Sequence, residues 1–216
     1  MAPYLSRIRR LRAMPLLETR GLCHQRLRCC DFSVDGGSVV AVTGASGAGK
    51  TQLLRALADL DPAAGEVFLD GMARRSIAAP LWRRQVAYVP ATPAWWADTV
   101  REHFEPEQIA SAEALLRDFG LDSKALDWPV DRLSTGETQR IGLVRAVARS
   151  PRVMLLDEPT SGLDRASRER VEKFLQRLLR EGLAILVVAH YGGRIVESAD
   201  RRLVVGSGGA VTEQAP

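Results

Sequence analysis

The sequence predicts an α/β fold built around a phosphate-binding loop, with a small antiparallel β portion ahead of it and a helical insertion behind. Three observations carry that reading. Val39-Val40-Ala41-Val42 reads as a buried strand, a Gly-rich turn follows at once, and Lys50-Thr51 open a helix with apolar residues at Leu53, Leu54, Leu57 and Leu60. Two later apolar runs, Val153 to Leu156 and Leu183 to Val188, end at Asp157-Glu158 and near His190, so acidic and imidazole groups emerge at strand carboxyl ends, where such sheets place ligands. Ahead of these two runs, residues 91–135 lack strand signals and are rich in Ala, Leu and Glu.

The loop spells G-x-x-x-x-G-K-T from Gly44 to Thr51. Across Gly44, Ala45, Ser46, Gly47, Ala48 and Gly49, the small residues let backbone N–H groups close around phosphate oxygens. Lys50 has the length to reach the β- and γ-phosphates, and the Thr51 hydroxyl suits a magnesium ligand. The plainer account is a Gly-rich turn before an ordinary helix. It leaves the agreement of strand, loop and helix unexplained.

At 216 residues with 46% hydrophobic content, the chain suits one α/β body with an inserted subdomain. No run of about 18 apolar residues is present, and the arginines at 7, 9, 10 and 12 interrupt any signal-peptide core, so the expected location is the cytosol. The net charge of +4 is uneven: residues 1–30 hold seven arginines against Glu18, leaving −2 for the rest. Residues 1–15 are thus a basic arm. Two accounts fit it: a surface-binding face through Tyr4, Leu5, Ile8 and Leu11, or a disordered extension before a domain starting near Met14-Pro15. The second is favoured. Cys23, Cys29 and Cys30 lack paired metal spacing and read as reduced core or surface thiols.

In chain order, residues 16–23 and 26–34 suggest strands, with Asp35-Gly36-Gly37 turning into the loop strand. A helix over 50–59 ends near Asp61-Pro62, and a short strand from Glu66 to Leu69 meets the Asp70-Gly71 turn. Residues 80–84 read as a helical turn, and Gln85 to Val89 as a strand stopped by Pro90. Helices are expected at 99–103 and 106–118, the second periodic through Ile109, Ala112, Leu115, Leu116 and Phe119. Further helices run from Gly136 to Ser150 and from Ser167 to Arg180. The tail holds a strand at 201–205 and a Gly-rich turn at 206–209.

Asp157 and Glu158 follow four apolar residues in a chain that already has a phosphate loop. Asp157 suits the magnesium hydration shell, and Glu158 suits polarisation of a water for in-line attack on the γ-phosphate. A solvated acidic pair at a strand end is the plainer alternative.

From about residue 16 onward the chain resembles the ATPase subunit of ATP-binding cassette (ABC) transporters. Beyond the two nucleotide motifs, Leu133-Ser134-Thr135-Gly136-Glu137 looks like the family signature, followed by Gln139-Arg140. Ser161-Gly162-Leu163-Asp164 looks like its D-loop, and His190 stands where the switch histidine belongs. The resemblance implies an ABC-type nucleotide-binding domain over 16–216, with a helical subdomain inserted at about 91–135. Residues 84–89 and 95–100 look most like the short stand-alone ATPases of the iron or metal-exporter type.

The family closes as head-to-tail dimers, so the resemblance implies a second ATPase subunit, as a homodimer of this chain, and an integral membrane permease. It places the protein in the cytoplasm, peripheral on the inner face of the cell membrane, with ATP and Mg2+ as cofactors. Ser134, Thr135, Gly136, Glu137 and Asp164 would face ATP held by Lys50 of the partner, where a helix N-terminus offers N–H groups and a positive dipole end. His190 would orient the attacking water beside Glu158.

Three departures qualify the match: Ala91 where the family has a magnesium-contacting glutamine, Thr135 where glycine is usual, and no early Tyr or Phe to stack adenine, which leaves His24 as a weak stacker. Trp95-Trp96 either packs inside the insertion or faces a partner helix. The competing function is a soluble ATP-switched assembly factor or DNA-associated ATPase, although the chain lacks a nucleic-acid motif or broad charge stripe. A small-molecule kinase leaves the signature unexplained.

Overall fold

A computed structural model describes residues 14–188 and 194–214. The chain opens with β1 (Leu17–His24) and β2 (Leu27–Val34), then β3 (Val39–Gly44), which runs into α1 (Lys50–Leu57). A hairpin of β4 (Ala64–Leu69) and β5 (Met72–Ala73) follows, turning at Asp70 and Gly71, both at positive φ (52° and 75°) as a two-residue hairpin turn requires. Then come α2 (Ala79–Gln85), β6 (Val86–Val89), α3 (Ile109–Asp118), α4 (Thr135–Val147), β7 (Val153–Asp157), α5 (Arg165–Arg180), β8 (Ala184–Val188), α6 (Arg194–Glu197), β9 (Arg201–Val205) and β10 (Val211–Gln214).

These elements form two sheets. An antiparallel sheet has the order β2-β1-β4-β5, and a larger one has the order β10-β9-β3-β8-β7-β6. In the larger sheet β9, β3, β8, β7 and β6 are parallel, while β10 is an antiparallel edge. Both faces of its central strands are covered, and the alternation of side chains shows how. Val40, Val42, Val153, Leu155, Leu186 and Val188 pack with Leu53, Leu54 and Leu57 of α1 and with the antiparallel sheet. Val39, Ala41, Met154, Leu156, Ile185 and Val187 pack on the other face with residues of α3, α4, α5 and α6. A parallel sheet buried on both faces reads in sequence as continuous apolar runs, which is why β3, β7 and β8 were legible.

Between β6 and β7, the described residues contain helices, 3-10 turns and one isolated bridge, Thr99 to Pro129. Several boundaries differ from expectation. The helix expected at 99–103 is a 3-10 turn at Arg101–His103. The one expected at 106–118 starts with a 3-10 turn at Pro106–Gln108, because Pro106 follows Glu105 in a capping box closed by Gln108, and only then becomes α3. Helix α1 stops at Leu57, two residues early, as Asp59 turns left-handed (φ 58°). Asp164 caps α5 by accepting from Ser167 N at 3.0 Å, so that helix begins at Arg165, earlier than expected. The expected reduced state of all three cysteines is corrected: Cys23 and Cys29 form a disulfide across the β1–β2 hairpin, and only Cys30 is free, buried, with its thiol pushed up to about 11 by burial. The arm at 1–13 lies outside the described residues.

Helix α1 carries the loop lysine and threonine at its start, and its far end is fixed by α2. Trp82 is fully buried and its Nε1–H donates to Leu57 O at 2.9 Å, satisfying a carbonyl of the last turn. Trp82→Phe is expected to lower the unfolding free energy by about 1–3 kcal/mol through the lost hydrogen bond, and Trp82→Ala by about 3–5 kcal/mol through the cavity. Urea titration followed by circular dichroism measures both.

Candidate functional site

The site is assembled at the carboxyl ends of β3 and β7, which flank β8. Parallel pairing places Val42 of β3 and Asp157 of β7 opposite the same residue, Val188. Thr51, on the first turn of α1, thereby meets Asp157: its Oγ1 donates to Asp157 Oδ2 at 2.7 Å, although the two are 106 residues apart in sequence. Asp157 is only 6% exposed and accepts a second bond from the Tyr88 hydroxyl at 3.2 Å. Burial, with the Asp157 carboxylate adding to it, pushes the Tyr88 phenol well above its usual range, so Tyr88 stays a donor.

The loop that joins β3 to α1 has positive φ at Gly44, Gly47 and Gly49. At Gly49, the cap of α1, φ is 113°, a backbone conformation that favours glycine, and the Leu27 side chain of the β1–β2 hairpin packs against it. Lys50 Nζ donates to Gly44 O and Ala45 O, each at 2.9 Å, curling the loop over its own start. An ammonium has three protons, so the charge and one donor remain to meet an anion. The first N–H groups of α1 point the same way. Ala45, Ser46, Gly47 and Ala48 line one wall of a cavity of about 550 Å³, whose other walls are Gln25, Arg26, Leu27, Arg28 and Ser207 to Gly209. His24 is not among these residues; its Nδ1 accepts from Arg26 N at 3.5 Å, and the cavity takes its cationic character from Arg26 and Arg28 instead.

Glu158 follows β7 in a left-handed conformation (φ 48°), which a non-glycine residue adopts at a cost. Its N–H donates to Val188 O at 2.7 Å, and its carbonyl accepts from Ser161 N, Ser161 Oγ and Gln139 Nε2 at 3.2–3.3 Å. His190 lies outside the described residues.

The signature-like residues cap α4. Ser134 Oγ donates to Glu137 Oε2 at 2.7 Å and accepts from Glu137 N at 3.3 Å, while Ser134 N donates back to Glu137 Oε2 at 2.9 Å. Those bonds from Ser134 hold the Glu137 carboxyl below its usual range. Thr135 sends its Cγ2 toward Gly162 of the same chain, with 2.9 Å to a Cβ built there, so its methyl packs inward. Ser134 and Thr135 are exposed, and Gly136 after them is half-buried. Asp164 is engaged with α5 as described. The structure therefore gathers Gly44 to Thr51, Asp157 and Glu158 into one place, and sets Ser134 to Glu137 and Asp164 on a separate edge.

Trp95 and Trp96 differ in burial, and Trp95 alone packs within the insertion as one expectation had it. Trp95 is half-buried beside His103, with rings 4.9 Å apart, and Trp96 is 65% exposed, lining a groove with Tyr88, Pro93, Gly142 and Arg145. Arg145 lies over both indoles, and burial lowers its guanidinium to about 10. Sequence reading gave Tyr88 no role, and it named Gln139 only as a residue following the signature-like stretch. A polar residue on the apolar stripe of α4 was the available signal for Gln139, whereas Tyr88 looked like any strand residue.

Comparison with known proteins agrees with this geometry. The sequence profile described as ABC transporter matches residues 27–161. Protein STAR1 of Oryza sativa subsp. japonica is 37% identical over 205 residues, covering 87% of this chain but 59% of STAR1, so the chain spans less than two thirds of that relative. An aliphatic sulfonates import ATP-binding protein, SsuB 2 of Pseudomonas fluorescens, is 36% identical over 85% of this chain and 69% of its own length. A probable iron export ATP-binding protein, FetA of Escherichia coli, is 35% identical over 74% and 76%. A solved ATP binding subunit of an ABC transporter superposes with a TM-score of 0.83 at 25% identity, covering 93% of this chain and 90% of that one. With a family profile matching residues 27–161 and relatives 35–37% identical over most of its length, the chain belongs to the ABC transporter family.

Proposed function

We propose that this chain binds and hydrolyses ATP as one half of a dimer and drives an integral membrane permease from the cytoplasmic face of the cell membrane. The observation that carries the reading is the 2.7 Å contact between Thr51 and Asp157, at the mouth of a loop whose lysine faces its centre. A half-buried hydroxyl beside a buried carboxylate forms the hard-oxygen donor set that suits Mg2+ together with phosphate oxygens. When bound, Mg2+ neutralises phosphate charge and fixes the electrophile.

The remaining work belongs to the chain. Main-chain N–H groups from Gly44 to Thr51 and the Lys50 ammonium hold the phosphates. Glu158, one residue beyond Asp157, accepts the proton of the attacking water. The domain assignment follows from the same reading: a nucleotide-binding domain over 16–216 with a helical subdomain at about 91–135. The exposed end of α4, with Ser134 to Glu137, and Asp164 face the partner's ATP. Among described residues, no helix is long and apolar enough to cross a membrane. The permease is therefore assigned on family membership and on the groove beside Trp96 and Arg145. An exporter role draws on the 35% identity to a probable iron export protein, and an importer role on the 36% identity to a sulfonate import protein.

Glu158→Gln is expected to keep ATP binding and to lower steady-state hydrolysis by about 10²–10⁴-fold, measured as phosphate release against binding of a fluorescent ATP analogue. Unchanged hydrolysis rejects Glu158 as the base.

A dimer contact through Ser134 is tested by mass in light scattering. Glu158→Gln is expected to dimerise with ATP, whereas Glu158→Gln combined with Ser134→Arg binds ATP yet stays monomeric, since a hydrogen bond to a charged group worth about 1.5–3 kcal/mol is replaced by a clash. A full ATP-dependent dimer from the double variant rejects the cross-interface role.

A further inference from the structure

Gln139 is 4% exposed on α4, a polar side chain on the stripe it shares with buried Gly142, Leu143 and Ala146. Its amide nitrogen lies 3.3 Å from Ala91 O, 3.3 Å from Glu158 O and 3.1 Å from Ser161 Oγ, and its amide oxygen accepts from Gly162 N at 3.0 Å. Three acceptor-capable atoms on one side and a main-chain donor on the other decide which way round the amide sits. A buried primary amide is tolerated when such bonds are met. Here they are met by the two loops that leave β6 and β7, so one side chain joins α4, position 91 and the residues after Glu158.

The effect on Glu158 is specific. Its left-handed main chain is held on the amide side by Val188 of β8 and on the carbonyl side by Ser161 and Gln139. The direction in which its side chain leaves the backbone is thus set jointly by the sheet and by α4. Position 91 offers only a methyl side chain, and it is tied to the site through its carbonyl.

We infer that Gln139 is a positioning residue for Glu158, transmitting the placement of α4 and of the loop at Ala91 to the main chain of the base. The inference rests on Glu158 serving as that base. The phosphate loop on β3 and α1 is untouched by these bonds, so binding and turnover separate.

The test uses the purified full-length chain with Mg-ATP. Gln139→Met keeps length and loses every bond; it is expected to lower kcat by roughly 10–100-fold, the scale of a small misplacement of a catalytic group, with KM and the Kd of a fluorescent ATP analogue within about twofold and an unchanged melting temperature. Gln139→Glu retains an acceptor for Gly162 N–H but turns a carboxylate toward two carbonyls, and its protonated form regains one donor. Its kcat relative to the unsubstituted chain is therefore expected to rise from about pH 8 to about pH 6, while the same ratio for Gln139→Met stays flat. Full kcat in Gln139→Met overturns the inference. Parallel loss of kcat, ATP affinity and melting temperature, or a Gln139→Glu ratio as flat as that of Gln139→Met, also overturns it by showing a general packing role. Failure of the base assignment is read separately, from hydrolysis by Glu158→Gln.

Discussion

The hydrogen bond between Thr51 and Asp157 depends on one constraint, the parallel pairing of β3 and β7 with the strand between them. Parallel strands all present their carboxyl ends to the same edge of the sheet, so groups far apart in sequence converge without any local turn joining them. Slipping β7 by one residue would send Asp157 to the opposite face and Glu158 into its place. The registers that prevent this are fixed by packing. Val153 and Leu155 fill the core under α1, whereas Met154 and Leu156 fill the core under α4. Both faces being buried, a slipped strand exchanges two fitted side-chain sets at once, which close-packed interiors resist. The site is therefore as rigid as the sheet, and its acidic pair is placed by hydrophobic packing.

Against that fixed edge, α4 is held from two directions. Pro93 of the loop after β6 packs on Gly142, with 2.5 Å to a Cβ built there, and Thr135 packs on Gly162 of the loop after β7. Arg145 extends the first contact, since its Nη1 donates to Ala94 O at 3.0 Å while the guanidinium covers both indoles. The helix is clasped between the segments that follow two neighbouring strands. A displacement of its N-terminal end reaches residues 91 and 158 through side chains already in contact, with no intervening flexible link.

What the sequence made legible follows the same physics. Continuous apolar runs ending in Gly-rich or acidic residues are signals of buried parallel strands, so β3, β7 and β8 were read correctly in place. Weakly patterned elements were not. Strand β10 has a single apolar residue, Val211, and pairs only at an edge; α6 is four residues long. The Cys23–Cys29 disulfide depends on an irregular hairpin register between Leu22–Cys30 and His24–Leu27, which spacing alone does not reveal. Gln139 was visible as a polar interruption of an apolar stripe. Its partners come from loops 48 and 19 residues away, and nothing local announces them.

The capping box at α4 bears on how the proposed composite site would work. Ser134 has one hydroxyl proton, and in the structure it goes to the Glu137 carboxylate. Contact with a partner-held γ-phosphate requires that proton to change acceptor, while Glu137 keeps the Ser134 N–H and the helix keeps most of its cap. The exchange also brings a phosphate toward a carboxylate, a repulsive pairing that Arg140 and Arg132 offset, since both already act on Glu137. Arg140 is itself anchored, donating to Gly136 O at 3.2 Å and to the carbonyls of Phe119 and Gly120. Its charge is thus held at the helix end by α3 rather than by the cap. The signature helix can give up one capping bond to a phosphate without losing either its start or its neutralising charge, and that is the property a reversible ATP-bridged interface needs.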